Sequence, residues 1–224
     1  MTTAAPGAGL PRLTREQHPP GRAPGALGVV VWRFAAPVLA VSSAPLGGGM
    51  GERRWILNAQ VASSYGRTDP AVHLGEIAEA LGLAGPGVGM LTAVDVGGAS
   101  HCTDGGVRAE ASVGLGHPTW AADEDGAGAG AGPAGTVNIV AALPEALCPA
   151  ALVNAVMTAT EAKSQALWEA GVAATGTASD ALCLVCPDRA PAHAFGGPRS
   201  VWGARLARAV HGAVGAGCRA GTAP

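Results

Sequence analysis

The chain is 224 residues long, with a formal net charge of −2, 48% apolar residues and only 13% charged ones. That length suits one domain with a sizeable core, and the apolar share excludes a wholly disordered chain despite 35 glycines and 17 prolines. The slightly acidic balance excludes a nucleic-acid binder working by bulk positive charge, and the longest apolar run, 26–41, is too interrupted by Arg33 and Pro37 to make a membrane span.

In chain order, residues 1–25 are rich in Pro, Gly and Ala, lack the apolar stretch of a secretory signal and predict a disordered tail; the expected location is the cytoplasm. Residues 28–34 and 37–43 are β-rich runs around Ala35-Ala36 and predict a hairpin. A loop, Gly47-Gly48-Gly49-Met50-Gly51, follows, and then a third strand over 54–61. The spacing of Val72, Ile77 and Leu81 predicts a helix over 70–83, ending at Gly82. Strands are predicted over 88–94, 107–113, 136–143 and 180–185, and a mobile low-complexity loop over 121–135. The longest helix spans 149–170, opened by Pro149 and closed by Gly171, and a last helix covers 201–214. The order predicts an α+β (mixed α/β) fold: a single domain over 26–216, with helices packed on a largely antiparallel or mixed sheet, and a frayed tail over 217–224.

Five cysteines, an odd number, do not read as a disulfide framework. Cys183 and Cys186 have C-x-x-C spacing inside a strand, where i and i+3 face opposite ways, so they read as two structural cysteines. His101-Cys102-Thr103-Asp104 reads as a turn, and no metal site is expected. The glycine loop completes neither a P-loop nor a dinucleotide fingerprint.

The long helix carries the sharpest signal. Leu152, Val156, Ala159 and Leu167 form an apolar stripe, with Asn154, Thr158, Glu161 and Gln165 opposite. Lys163, the only lysine among 14 basic residues, falls inside the apolar stripe. An ammonium there either snorkels along the helix or is buried beside a carboxylate. Just downstream, Thr175-Gly176-Thr177-Ala178-Ser179-Asp180 packs hydroxyls, a glycine and a carboxylate into one connection, able to present donors to an oxyanion or to be an ordinary turn.

Taken together, Gly47-Gly48-Gly49, Ile56-Leu57-Asn58, Val88-Gly89-Met90-Leu91-Thr92, Gly135-Thr136-Val137-Asn138-Ile139, Thr160-Glu161-Ala162-Lys163, Thr175 through Asp180 and Phe195-Gly196-Gly197-Pro198 resemble the adenosylcobinamide amidohydrolase family. The resemblance runs from about residue 38 to 214. It implies hydrolysis of the amide between the corrin side chain and aminopropanol of adenosylcobinamide, giving adenosylcobyric acid in cobalamin salvage. It also implies a corrinoid small molecule as partner and no cofactor beyond the cobalt that the substrate carries. Ser112 stands where the family commonly has threonine, and His117 follows where asparagine is common.

Amide hydrolysis needs an activated nucleophile, an oxyanion stabiliser and an acid for the leaving amine. The candidate catalytic residues are Lys163, Asp180, Thr177 and Glu161; the candidate substrate-binding residues are Asn58, Asn138, Gly48, Gly49, Thr175 and Ser179. Glu161 and Lys163 lie about 200° apart on a helix, so the expected centre is Lys163 with Asp180 and the 175–180 turn. The competing expectation is a non-catalytic corrinoid-binding protein, but the chain lacks the D-x-H-x-x-G signature of the adenosylcobalamin-binding module. A homo-oligomer is compatible with the sequence.

Overall fold

The computed structural model describes residues 12–123 and 135–221. Among these, three helices pack on an eight-stranded mixed sheet, an α+β arrangement. The organising element is a long antiparallel hairpin of β2 (Gly28–Ser42) and β3 (Gly49–Gln60), whose register shifts between Arg33 and Val38. Pro37 has no N–H to give to a ladder, so it belongs at such an irregularity. The expected hairpin at Ala35-Ala36 is therefore a bulge within one strand.

The bulge divides the sheet into two halves. On one side of it, β2 and β3 pair with β1 (Leu13–His18) and β4 (Gly87–Thr92). On the other, β2 continues to β10 (Ala181–Cys186), β8 (Thr136–Ala142), β6 (Val107–Gly114) and β5 (Ser100–Asp104). Val30, Ile56 and Met90 of the first half share one core with Val140, Cys183 and Val185 of the second. The sheet thus turns a corner through the hairpin and folds back on itself, as strands do in orthogonal packings.

Strand alternation assigns the outer faces. Helix α1 (Pro70–Ala80) buries Leu74 and Ile77 against Val31, Leu57 and Trp55. Helices α2 (Pro149–Glu169) and α3 (Val201–Gly221) bury Leu152, Leu167, Leu206 and Val210 against Val107, Ile139 and Leu184. Each such fully buried leucine contributes about 1.5–3 kcal/mol over leaving it in water. Alanine at Ala151, Ala155, Ala159, Ala162 and Ala166 keeps α2 close to its neighbours and favours the helix. Gly171, at φ +79°, closes it.

Several expectations change here. Residues 13–18 form an edge strand, not a tail, because Leu13 to His18 ladder onto β2. His101 to Asp104 lie in β5, not in a turn, and Asp104 pairs with Arg208 of α3. Helix α3 runs on through Gly217, where an added Cβ would meet Val113 Cγ2 at 2.5 Å, so glycine serves close packing. Thr158 is buried and donates to the Gly196 carbonyl, so it leaves the polar stripe. Cys183 and Cys186 are free thiols on opposite faces of β10, and burial pushes the Cys183 thiol up to about 12. The expected loop at 121–135 falls mostly outside the described residues, as do 1–11 and 222–224.

Candidate active site

At one end of the folded sheet the two halves part around a cavity of about 300 Å³. The first half contributes Val61, Tyr65, Leu91 and Thr92 to its wall; the second contributes Thr136 and Ser179. Thr136 opens β8 on the face that also carries Asn138, and its Oγ1 lies 2.8 Å from Ser179 Oγ. Ser179 Oγ also donates to the Gly135 carbonyl, at 3.0 Å.

A chain of amides lies behind this wall. Asn138 pairs in register with Ala181 and its Nδ2 donates to the Leu91 carbonyl at 2.9 Å; both neighbours line the cavity. The same Nδ2 donates to Asn58 Oδ1 at 2.8 Å, and Asn58 Nδ2 donates to Ser112 Oγ at 3.0 Å. Asn58 comes from β3, and Ser112 and Asn138 from β6 and β8, so these bonds staple the two half-sheets together. All three residues are buried. Asn138 Oδ1 is buried with no hydrogen-bond partner among the described residues, an exception to the rule that buried polar atoms are paired.

Next to this wall stands the lysine. Lys163 is only 9% exposed and its Nζ donates to Asp180 Oδ2, joining α2 to the turn before β10. Asp180 is fully engaged. Oδ2 also accepts from Thr177 N at 3.1 Å, while Oδ1 accepts from Val137 N at 2.9 Å and from Thr177 Oγ1. Each carboxylate oxygen therefore holds two donors, close to its full capacity. A Cβ on Gly176 would stand 2.3 Å from Asp180 Oδ2 and 2.5 Å from Lys163 Nζ, so the turn requires glycine there.

The structure thus brings together Lys163, Asp180 and Thr177, and, one residue along the turn, Ser179. Asn58 and Asn138 join each other across the half-sheets. Thr175 stands apart from the cavity: its Oγ1 accepts from Ala121 N at 2.8 Å and its backbone N donates to the Thr119 carbonyl, tying down the arm of β7 (Pro118–Thr119) beside β9 (Gly176–Thr177). Gly48 sits in the turn of the long hairpin and Gly49 opens β3 opposite Ser42; neither is among the residues of the cavity wall. A Cβ on Gly48 would meet the Ala44 carbonyl at 2.6 Å, which is a steric reason for glycine. Glu161 is exposed on the outer face of α2. The sequence reading missed Thr136 and Tyr65 as wall residues; that Tyr65 is the only tyrosine was the one available signal.

Two comparisons bear on this site. The profile of a protein family described as adenosylcobinamide amidohydrolase matches residues 18–223. A curated protein of Methanosarcina mazei named adenosylcobinamide amidohydrolase is 30% identical over 152 residues, which cover 66% of this chain and 72% of that protein. A match that takes in β2 through α3 and every wall residue of the cleft leaves one conclusion: this chain belongs to the adenosylcobinamide amidohydrolase family.

Proposed function

We propose that the chain hydrolyses adenosylcobinamide at the amide joining the corrin side chain to aminopropanol, giving adenosylcobyric acid and aminopropanol, as a step of cobalamin salvage. The observation that carries this reading is the cleft of about 300 Å³ with five hydroxyl-bearing residues on its wall (Ser63, Tyr65, Thr92, Thr136 and Ser179) and, behind it, a buried amide oxygen unpaired among the described residues, in a member of this family. A cavity of that size sits at the lower end of small-ligand pockets. It suits the aminopropanol arm while the much larger corrin ring, with its cobalt, rests outside.

In this reading water adds to the amide carbonyl and negative charge grows on its oxygen. Lys163, held by Asp180 just behind the wall, keeps N–H bonds beyond the one given to that carboxylate and is the donor for that oxygen, whereas the Ser179 proton is already given to the Gly135 carbonyl. Asn138 Oδ1 accepts the substrate N–H and so orients the scissile bond. Asp180 positions Lys163 and the turn instead of acting as the base, because both of its oxygens are already taken. The Thr177 hydroxyl proton is likewise committed to Asp180. Glu161 takes no part.

Incubation with adenosylcobinamide followed by chromatography tests the reading. Release of aminopropanol together with a corrinoid bearing one new carboxylate is the expected result. Corrinoid retained tightly and unchanged would replace hydrolysis with a binding role.

A further inference from the structure

Among the described residues that line the cavity, Tyr65 is the only one with a titratable side chain. None of these described residues brings a carboxylate, imidazole or amine to the wall, yet hydrolysis must take a proton from water and return one to the leaving amine. Tyr65 is not alone. Its hydroxyl lies 3.0 Å from His73 Nδ1, the two rings stack with centroids 5.5 Å apart, and His73 is 2% exposed. On its far side His73 Nε2 lies 2.8 Å from the Pro24 carbonyl. A carbonyl only accepts, so Nε2 carries the ring proton and Nδ1 offers its lone pair to the Tyr65 O–H.

The assembly is built from three separate segments: the stretch before β2, the connection between β3 and α1, and the first turns of α1. Gly25, at φ +64°, lets the Pro24 carbonyl approach the ring; a Cβ there would stand 2.9 Å from His73 Nε2. Arg67 ties the Tyr65 connection to α1 through Asp69 and Glu76, and these three charges are the ones felt by the phenol. Partial burial pushes the Tyr65 phenol above its usual value, so it enters the reaction holding its proton.

We infer that Tyr65 and His73 form a two-residue proton relay for amide hydrolysis in this cleft, Tyr65 as the catalytic residue and His73 as the group behind it. The inference rests on the amidohydrolase reading proposed above. As the C–O bond forms between water and the carbonyl carbon, a water O–H bond breaks and its proton passes to Tyr65 Oη, while the proton of Tyr65 moves to His73 Nδ1. When the tetrahedral adduct collapses and the C–N bond breaks, the path runs backwards. His73 Nδ1 returns its proton to Tyr65, and Tyr65 protonates the departing amine. The sum is amide plus water giving acid plus amine, with the relay unchanged.

The test is the rate of aminopropanol release from adenosylcobinamide by the full chain and by Tyr65→Phe, His73→Gln and the double variant. Tyr65→Phe removes one oxygen from a partly exposed ring and is expected to fold as the parent does. Its kcat should fall about 100-fold, with KM within about threefold. His73→Gln keeps an acceptor opposite the phenol but takes up no proton, and should lose a similar factor. The double variant should lose no more than the worse single one, because both residues serve one path. Tyr65→Phe with at least half the parent kcat, or losses that multiply in the double variant, would overturn the relay and leave the amidohydrolase reading standing. A parent chain that releases no aminopropanol would overturn both.

Discussion

The Asp180 cluster and the asparagine chain are both buried, polar and stitched across elements, yet they end differently. Around Asp180, Lys163 Nζ, Thr177 N, Thr177 Oγ1 and Val137 N use up both carboxylate oxygens. Along the asparagines, Nδ2 of Asn138 is doubly used while Oδ1 is left without a partner among the described residues, behind a cavity wall. A carboxylate with both oxygens filled has no acceptor left to give a ligand and spends its bonds on rigidity; an amide oxygen left unpaired is a desolvated atom whose cost a ligand can relieve. The difference separates residues that hold this cleft from residues that use it. It also explains why a lysine and an aspartate can be central to the site without the aspartate being its base.

Three substitutions test that division. The largest effect is expected from Asp180→Ala, which strips the buried ammonium of its partner and frees Val137 N and Thr177 N; it should cost about 3–5 kcal/mol in chemical denaturation. A loss below about 1 kcal/mol would mean that the closed cluster does not hold the turn. Asn138→Ala leaves the Leu91 carbonyl and Asn58 Oδ1 unpaired and should cost about 1–3 kcal/mol. Because it also removes the open acceptor, KM for adenosylcobinamide should rise about tenfold. Destabilisation with an unchanged KM would reduce the asparagines to a staple between half-sheets. Glu161→Gln, on the exposed face of α2, should change stability by less than about 0.5 kcal/mol and leave turnover within twofold of the parent. A large loss of turnover would return that carboxylate to the chemistry.

Much of the local architecture was legible in the sequence because local rules produce it. Helices α1 and α2 follow from 3.6-residue periodicity, a proline in the first turn and a glycine just past the end. Lys163 could be singled out because an apolar stripe has no ordinary place for an ammonium. The turn at 175–180 was a natural neighbour for it, since a helix followed by a short connection returns the chain to the same end. Strand β5 was hidden by its polar residues, although Asp104-Gly105-Gly106 is a strong signal for a two-residue hairpin turn, and both glycines have positive φ.

What the sequence by itself determined, then, is the three helices, most of the strands and one unusual side chain, Lys163 in its stripe, while β1 and β5 escaped it. Only the tertiary structure decided that Pro37 marks a corner and not a hairpin, because a bulge exists only relative to the strand that pairs with it. Only the tertiary structure, too, stacked Tyr65 on His73 beneath the Pro24 carbonyl, joined Asn58 to Asn138, and left one amide oxygen open beside a cleft. The contacts of His73 with Pro24 and of Asn58 with Asn138 link residues tens of positions apart, whose meeting depends on how the sheet folds over its shared core, and no local propensity encodes that.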